Sequence, residues 1–205
     1  QSPARTASPL PAAAGPPGPG ELKLLEPFRA QLPAKVFGPP YRPPRTDTGP
    51  SALRENLKQS RALLEQAGWK VDANGILRNA KGEPFAFEYL ETQGGPQFRT
   101  VTWQRNLAKL GIAMSARTVD FALYRKRLEA FDFDAITIRT PDFALPSAID
   151  YVETLGSKTA DVTGSGNFRG LKDPAVDAML TAMTEAKTYA ELRDACRALD
   201  RIITH

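Results

Sequence analysis

The side chains able to do chemistry are few, and their types suit recognition rather than covalent catalysis. The chain has one cysteine, Cys196, and one histidine, His205, its last residue. That rules out an internal disulfide, a Cys/His zinc site within one chain, and a Ser-His-Asp triad in an ordered position. The remaining candidates are charged, amide and aromatic residues at the ends of apolar segments. Asp142 follows such a segment and neighbours Phe143. It can pair with an ammonium group, a charge-assisted bond worth roughly 1.5–3 kcal/mol, although Pro141-Asp142 is also an ordinary turn pair. Arg139 can hold a carboxylate or orient Asp142 through two parallel bonds, or stand as a surface charge at a strand end. Phe143 and Phe98 can stack on a ligand or close the edge of the core. Gln93-Gly94-Gly95, ahead of a helix, can offer backbone amides to an anion. It lacks the Gly-Lys-Ser/Thr ending of a phosphate loop, and a plain turn is the alternative.

Asn167-Phe168 lies among Gly164, Gly166 and Gly170, which allow close backbone approach to a ligand. The other reading makes it a structural loop, with Phe168 packed beneath the helix that follows. Cys196 shares a helical face with Leu192 and Leu199 and reads as a small core residue. Asp132 and Asp134, two apart at a strand start, face one side. With no third ligand nearby in sequence, they read as strand-edge solvation rather than a metal site. No cofactor is expected.

These candidates need a frame to hold them. Gln1 to Gly20 is rich in Pro, Ala and Gly and reads as a flexible arm. Residues 21–50 read as a strap, with a short helix bearing Leu22, Leu25 and Phe28, then an extended stretch from Pro33 to Pro50 in which Pro39-Pro40 and Pro43-Pro44 favour polyproline geometry. Regular structure is expected from Ser51, a plausible N-cap, with Leu53, Leu57 and Leu64 at helical spacing and Gly68 as the stop. Asn74-Gly75 between Trp69-Lys70-Val71 and Ile76-Leu77-Arg78 is a hairpin signal. Phe85 to Leu90 alternates as a strand. A helix then runs from about Gln97 to Leu110, with Trp103, Leu107 and Leu110 on its inner face.

Ile112 to Val119 is expected as a strand with Ile112, Met114, Ala116 and Thr118 on one side. Asp120 caps a short helix, and Phe133 to Arg139 forms another strand. Strand, helix, strand, helix, strand predicts an α/β fold with a mostly parallel sheet and right-handed crossovers. Ligands bind such sheets outside the carboxyl ends of the strands. That rule selects the loops Thr92 to Phe98, Val119 to Phe121 and Arg139 to Phe143. Beyond them, a helix is expected near Ser147 to Leu155. Asp173-Pro174 opens another. Thr188 and Glu191 box the start of a last one, with Leu192, Cys196, Leu199 and Ile203 inward. The chain ends on that helix without a return strand, which reads as a truncation.

Charge and hydropathy add little about partners. The chain has 205 residues, 41% hydrophobic, with a net charge of +4. Bases alternate with acids along the helices, as in Arg54-Glu55 and Arg193-Asp194, which is ordinary solvated surface rather than a basic stripe with interleaved aromatics. No apolar run reaches the ~20 residues that span a bilayer. The chain begins with Gln rather than Met, which reads as processing or as excision from something longer.

Several segments resemble one family in order and spacing. They are Leu63-Leu64-Glu65-Gln66-Ala67-Gly68-Trp69 before a hairpin and Gly82-Glu83-Pro84 before a strand; Trp103-Gln104-Arg105-Asn106-Leu107-Ala108-Lys109-Leu110-Gly111-Ile112; Tyr124-Arg125-Lys126-Arg127-Leu128 and Phe131-Asp132-Phe133-Asp134; and Asn167-Phe168-Arg169-Gly170 before Asp173-Pro174-Ala175-Val176-Asp177. The succession resembles the second lobe of family 5 extracellular solute-binding proteins, the oligopeptide, dipeptide and nickel binders of ABC importers. The strap from Leu24 to Phe37 resembles the microcin C and YejA-type branch.

The resemblance implies a type II periplasmic-binding-protein lobe, with residues 51–205 forming the lobe that would be one wall of a clamp. It implies periplasmic location, no catalysis, and a peptide or peptide-like ligand. The other partners would be permease subunits and the missing first lobe, with no nucleic acid. It gives Asp142 the role of amine anchor, although the tryptophan that commonly precedes that aspartate is absent here. It places Asn167 and Phe168 facing the cleft. Two other readings stay open: a basic α/β module binding RNA, and a single-lobe scaffold or dimerisation protein.

Overall fold

The computed structural model describes residues 13–45, 49, 51–94, 97–138 and 148–205. Contacts divide the chain into two compact units, one joining Gln1–Arg42 to Thr140–His205, the other comprising Pro43–Arg139. The sequence expectation puts the boundary between strap and lobe at residue 51. The contacts draw theirs at 42/43 and again at 139/140.

In the unit Pro43–Arg139, helix α2 (Ala52–Gln66) starts at Ser51 as N-cap, without a side-chain capping bond. It gives way to Gly68, whose φ of +88° suits a residue without Cβ. Leu57 and Leu64 pack from α2 onto a small core of Leu77, Leu110 and Ile112, joined by Trp69, Val71, Phe85, Phe87 and Leu107. The hairpin β1 (Lys70–Val71) and β2 (Leu77–Arg78) is antiparallel. Its turn depends on Asp72 more than on Asn74-Gly75 alone. The Asp72 carboxylate accepts from the backbone N–H groups of Asn74 and Ile76, each at 2.9 Å, and from Arg78 Nε at 2.7 Å.

Strand β3 (Ala86–Thr92), helix α3 (Gln97–Ala108), strand β4 (Ala113–Val119) and helix α4 (Phe121–Glu129) follow in the expected order. β3 and β4 pair in parallel from Ala86↔Ala113 to Thr92↔Val119. Asp120 caps α4, its carboxylate accepting from Leu123 N–H at 2.9 Å. Of the residues expected on one side of this strand, Met114 and Ile112, just ahead of β4, are buried, whereas Ala116 and Thr118 are exposed.

The expected strand Phe133 to Arg139 is reduced, among the described residues, to one bridge, Ala135 pairing with Tyr89. Leu90 N–H donates to Ala135 O, and Ala135 N–H to Glu88 O. The physical reason for the reduction is Asp134. Its carboxylate accepts the next ladder donor, Glu88 N–H, at 2.8 Å, which a backbone carbonyl would otherwise take. Ala135 lies on the side of β3 opposite β4, so β3 is central, and both of its neighbours run parallel to it.

In the other unit, helix α1 (Pro19–Leu25) and two 3-10 turns (Glu26–Phe28 and Ala34–Phe37) pack onto α5 (Ala148–Leu155), α6 (Pro174–Glu185) and α7 (Tyr189–Thr204). The stretch after Pro33, expected to be extended throughout, instead turns at Ala34–Phe37 and buries Val36 completely. Val36 and Leu25 enter one core with Leu155, Val176, Met179, Leu180, Met183, Ala195, Ala198 and Leu199. Asp173 caps α6 through Ala175 N–H at 2.8 Å, and Thr188 and Glu191 form the capping box of α7.

The inward stripe of α7 differs at its end. Ile203 is exposed, and Ile202 packs on the core in its place. Arg201, which the stripe did not include, is only 1% exposed. It donates through Nε to Glu21, through Nη1 to Gly38 O at 2.8 Å and through Nη2 to Gly15 O at 2.7 Å. Cys196 is half-buried against this core, and burial pushes its thiol up to about 11.

Candidate functional site: a pocket at the carboxyl end of the parallel strands

Side chains alternate along β3, and that alternation builds the site. Phe87, Tyr89 and Glu91 face α3. Trp103 lies 5.9 Å from the Phe87 ring and 5.5 Å, edge-on, from the Tyr89 ring. Glu88 points the other way and pairs with Arg127 of α4 at 2.9 Å. At the carboxyl end of β3 this leaves a cavity of about 390 Å³. It is lined by β3 from Tyr89 to Thr92, by Arg99, Thr100 and Trp103 of α3, by Tyr124 of α4, and by Thr137. The first turns of α3 and α4 and the segment after Ala135 therefore converge on one spot, as the strand-end rule requires.

The lining groups are held in place. Tyr89 Oη donates to Thr137 Oγ1 at 2.8 Å. Glu91 accepts from Thr100 Oγ1 at 2.9 Å and from Thr118 Oγ1 at 3.2 Å, which fixes its carboxylate from two sides. Burial, with the nearby Tyr89, raises the Tyr124 phenol above its ordinary value, so it stays a neutral donor. Trp103, expected on the buried face of its helix, is 43% exposed, and its indole forms a wall of the pocket. Arg99 is exposed and meets no carboxylate among the described residues. The pocket thus offers an oriented carboxylate, a guanidinium able to bond a planar anion, and an aromatic surface.

The residues singled out from sequence fall around this pocket or away from it. Gln93 is exposed in the turn just beyond Thr92, its N–H donating to Val119 O at 3.1 Å. Phe98 opens α3 at 73% exposure, one residue before Arg99. Neither lines the cavity. Arg139, Asp142 and Phe143 lie outside the described residues.

Asn167 and Phe168 belong to the other unit. Asn167 is fully buried. Its amide donates to Gly156 O and Leu171 O, at 3.0 and 3.1 Å, and its oxygen accepts from Leu171 N–H. Both amide protons are thus engaged within this unit, by the end of α5 and by the loop. Phe168 is half-buried. Asp132 and Asp134 are taken up by Arg127 and by Glu88 N–H. Tyr89, Glu91, Arg99, Thr100, Trp103, Tyr124 and Thr137 were not singled out. The available signal was the spacing of the two carboxylates of β3, Glu88 and Glu91, which an odd separation sends to opposite faces of the strand, Glu91 with Tyr89 and Phe87.

A family model for "Bacterial extracellular solute-binding proteins, family 5 Middle" matches residues 28–162. A binding protein of Brucella melitensis is 38% identical over 183 residues, covering 89% of this chain and 29% of that protein. The "Probable peptide-binding protein YejA" of Agrobacterium fabrum is 34% identical over 192 residues, covering 94% of this chain and 31% of that one. The chain thus spans under a third of the length of these relatives.

Among solved structures, the oligopeptide-binding protein AppA of Bacillus subtilis, in complex with a nonapeptide, aligns with a TM-score of 0.63 at 21% identity. That match covers 72% of this chain and 29% of AppA. A periplasmic oligopeptide-binding protein of Thermotoga maritima, with mannohexaose bound, aligns at 0.63 and 17% identity over 90% of this chain and 37% of that one. These likenesses show the fold, that of the type II periplasmic binding proteins.

Proposed function

We propose that this chain, which belongs to family 5 of the bacterial extracellular solute-binding proteins, supplies one wall of a non-covalent binding site for peptides or peptide-like solutes. The observation that carries this is the strand-end pocket. Arg99 suits a ligand carboxylate, Glu91 a ligand ammonium, and the Tyr89–Trp103 pair an apolar or aromatic side chain. Arg139, Asp142 and Phe143 follow the Thr137 wall directly in sequence, and we keep them in the proposed contact set, with Gln93 and Phe98 at its margin. The lining groups bind rather than react. The carboxylate is held by two hydroxyls, and an arginine does not give up its proton.

We further propose that the whole protein delivers its ligand to the membrane subunits of an ABC importer from the periplasm. Relatives described as peptide-binding and oligopeptide-binding support this reading. A single wall leaves a ligand's other face in water, where charge pairs are weak. This chain alone should therefore bind short peptides only in the millimolar range, about 4 kcal/mol. The test is a titration of a Trp69→Phe variant, whose only tryptophan is Trp103, with free-terminus tripeptides. A saturable change in Trp103 emission at millimolar concentration is expected. Submicromolar binding contradicts the one-wall reading, and no change at any concentration contradicts the pocket.

A further inference from the structure

A second concave surface, in the unit Pro43–Arg139 and separate from the pocket, lies between α2 and the end of α3. It is a groove of about 460 Å³ lined by Leu53, Arg54, Leu57, Lys58, Arg61, Lys109 and Leu110. Its floor is apolar: Leu110 is buried, Leu57 half-buried, and Leu53 still 36% exposed. Its rim is cationic on both sides. Arg54, Lys58 and Arg61 recur at i, i+4 and i+7 along one face of α2, and Lys109 stands across from them.

The counter-charge is thin. Lys58 meets Glu55 at 3.2 Å in an exposed pair, and Glu65 lies one turn beyond Arg61. Arg61 donates to Lys109 O at 3.0 Å and Lys109 Nζ to Asn106 Oδ1 at 3.0 Å, and neither meets a carboxylate among the described residues. Arg54 meets none among the described residues. Four cations thus border a shallow leucine floor.

We propose that this groove docks an acidic amphipathic protein segment, with one apolar side chain seated on Leu53, Leu57 and Leu110 and carboxylates flanking it against Arg54, Arg61 and Lys109. The pairing of an apolar floor with a cationic rim selects a protein segment over a membrane: lipid phosphates would meet the rim and leave the leucines in water, whereas an acidic amphipathic segment supplies a partner to both. Complementary rim charge chiefly sets the encounter rate and the choice of partner, while the seated apolar group excludes water.

The test uses the 205-residue chain and a fluorescent helix-forming peptide of about 15 residues, long enough to be partly helical in water. It carries Glu on both sides of a Leu at helical spacing. Controls are the same peptide with Lys for Glu, and vesicles of anionic phospholipid. The acidic peptide should bind, and binding should weaken as salt shortens the screening length. Arg54→Glu with Arg61→Glu should weaken it by about tenfold or more. Leu53→Ser, which leaves the charges in place, should weaken it with the salt dependence unchanged. Equal binding of acidic and basic peptides, binding of vesicles but not peptide, or indifference to the folded Leu53→Ser variant would each overturn the proposal.

Discussion

Glu91 and Arg99 face the same cavity with opposite charge and different support. Glu91 is gripped by two threonine hydroxyls, whereas Arg99 is exposed and meets no carboxylate among the described residues. Removing either should remove one charge-assisted bond to a ligand, roughly 1.5–3 kcal/mol, or about tenfold or more in affinity. Arg99→Ala should do so without altering the unfolding midpoint, because nothing in the described fold rests on it. Glu91→Gln should also loosen Thr100 and Thr118 and lower the midpoint slightly. Trp103 emission titrations alongside urea unfolding separate the two effects.

Asp72 acts at the same scale on stability. Its hydrogen bond from Arg78, then those from the Ile76 and Asn74 amides, hold its carboxyl below the ordinary value of 3.8. A carboxylate depressed in the folded state contributes stability that is fully present above the unfolded pKa and is lost as pH falls through the folded value. Asp72→Asn should therefore lower the urea midpoint at neutral pH, and the gap to the parent should close in strong acid. A gap that persists unchanged in acid would contradict this role.

At the scale of elements, Gly111 links the hairpin to the parallel pair. It has a φ of +81°, and a Cβ there would come 2.6 Å from Gly75 O and 2.7 Å from Leu77 N. Gly111→Ala combines left-handed strain with a backbone clash, and a loss of at least about 1–3 kcal/mol is expected, measured by urea unfolding. The same loss at Gly75→Ala is not expected, since that position has the positive φ but open space around it.

The elements themselves were legible because their signals are local: caps at Asp120, Asp173 and Thr188, stops at Gly68 and Gly111, and period-two aromatics in β3. What failed to show was set by tertiary competition. Asp134 takes a backbone donor that a strand from Phe133 needed, and the turn at Ala34–Phe37 forms because Val36 has a core to enter. The pocket was legible as a place and not as a residue list. Strand-end loops can be counted from sequence. Which face of α3 presents Trp103 outward depends on the strand it packs beside.

At the scale of the whole chain, the two units are built from interleaved sequence, and the N-terminal strap is part of the core of its unit rather than an accessory. Its lock is the buried pair of Glu21 with Arg201, which also bonds Gly38 O and Gly15 O. Removing one partner of a buried pair leaves an uncompensated charge, so Glu21→Gln and Arg201→Met should each cost about 3–5 kcal/mol. The pair of changes together should cost less than their sum. Limited proteolysis should then cut first between α1 and the Ala34–Phe37 turn. Cuts that begin in α7 would argue that the strap is not held this way.

The most direct measurement is a map of backbone amide shifts in the 15N-labelled chain on adding a tripeptide with free termini and a central aromatic residue. Concentration-dependent shifts should gather at Tyr89 to Thr92, Arg99 to Trp103, Tyr124 and Thr137, and disappear in Arg99→Ala. Shifts that gather away from the strand ends, or survive that substitution undiminished, would contradict the assignment of this pocket as a ligand wall.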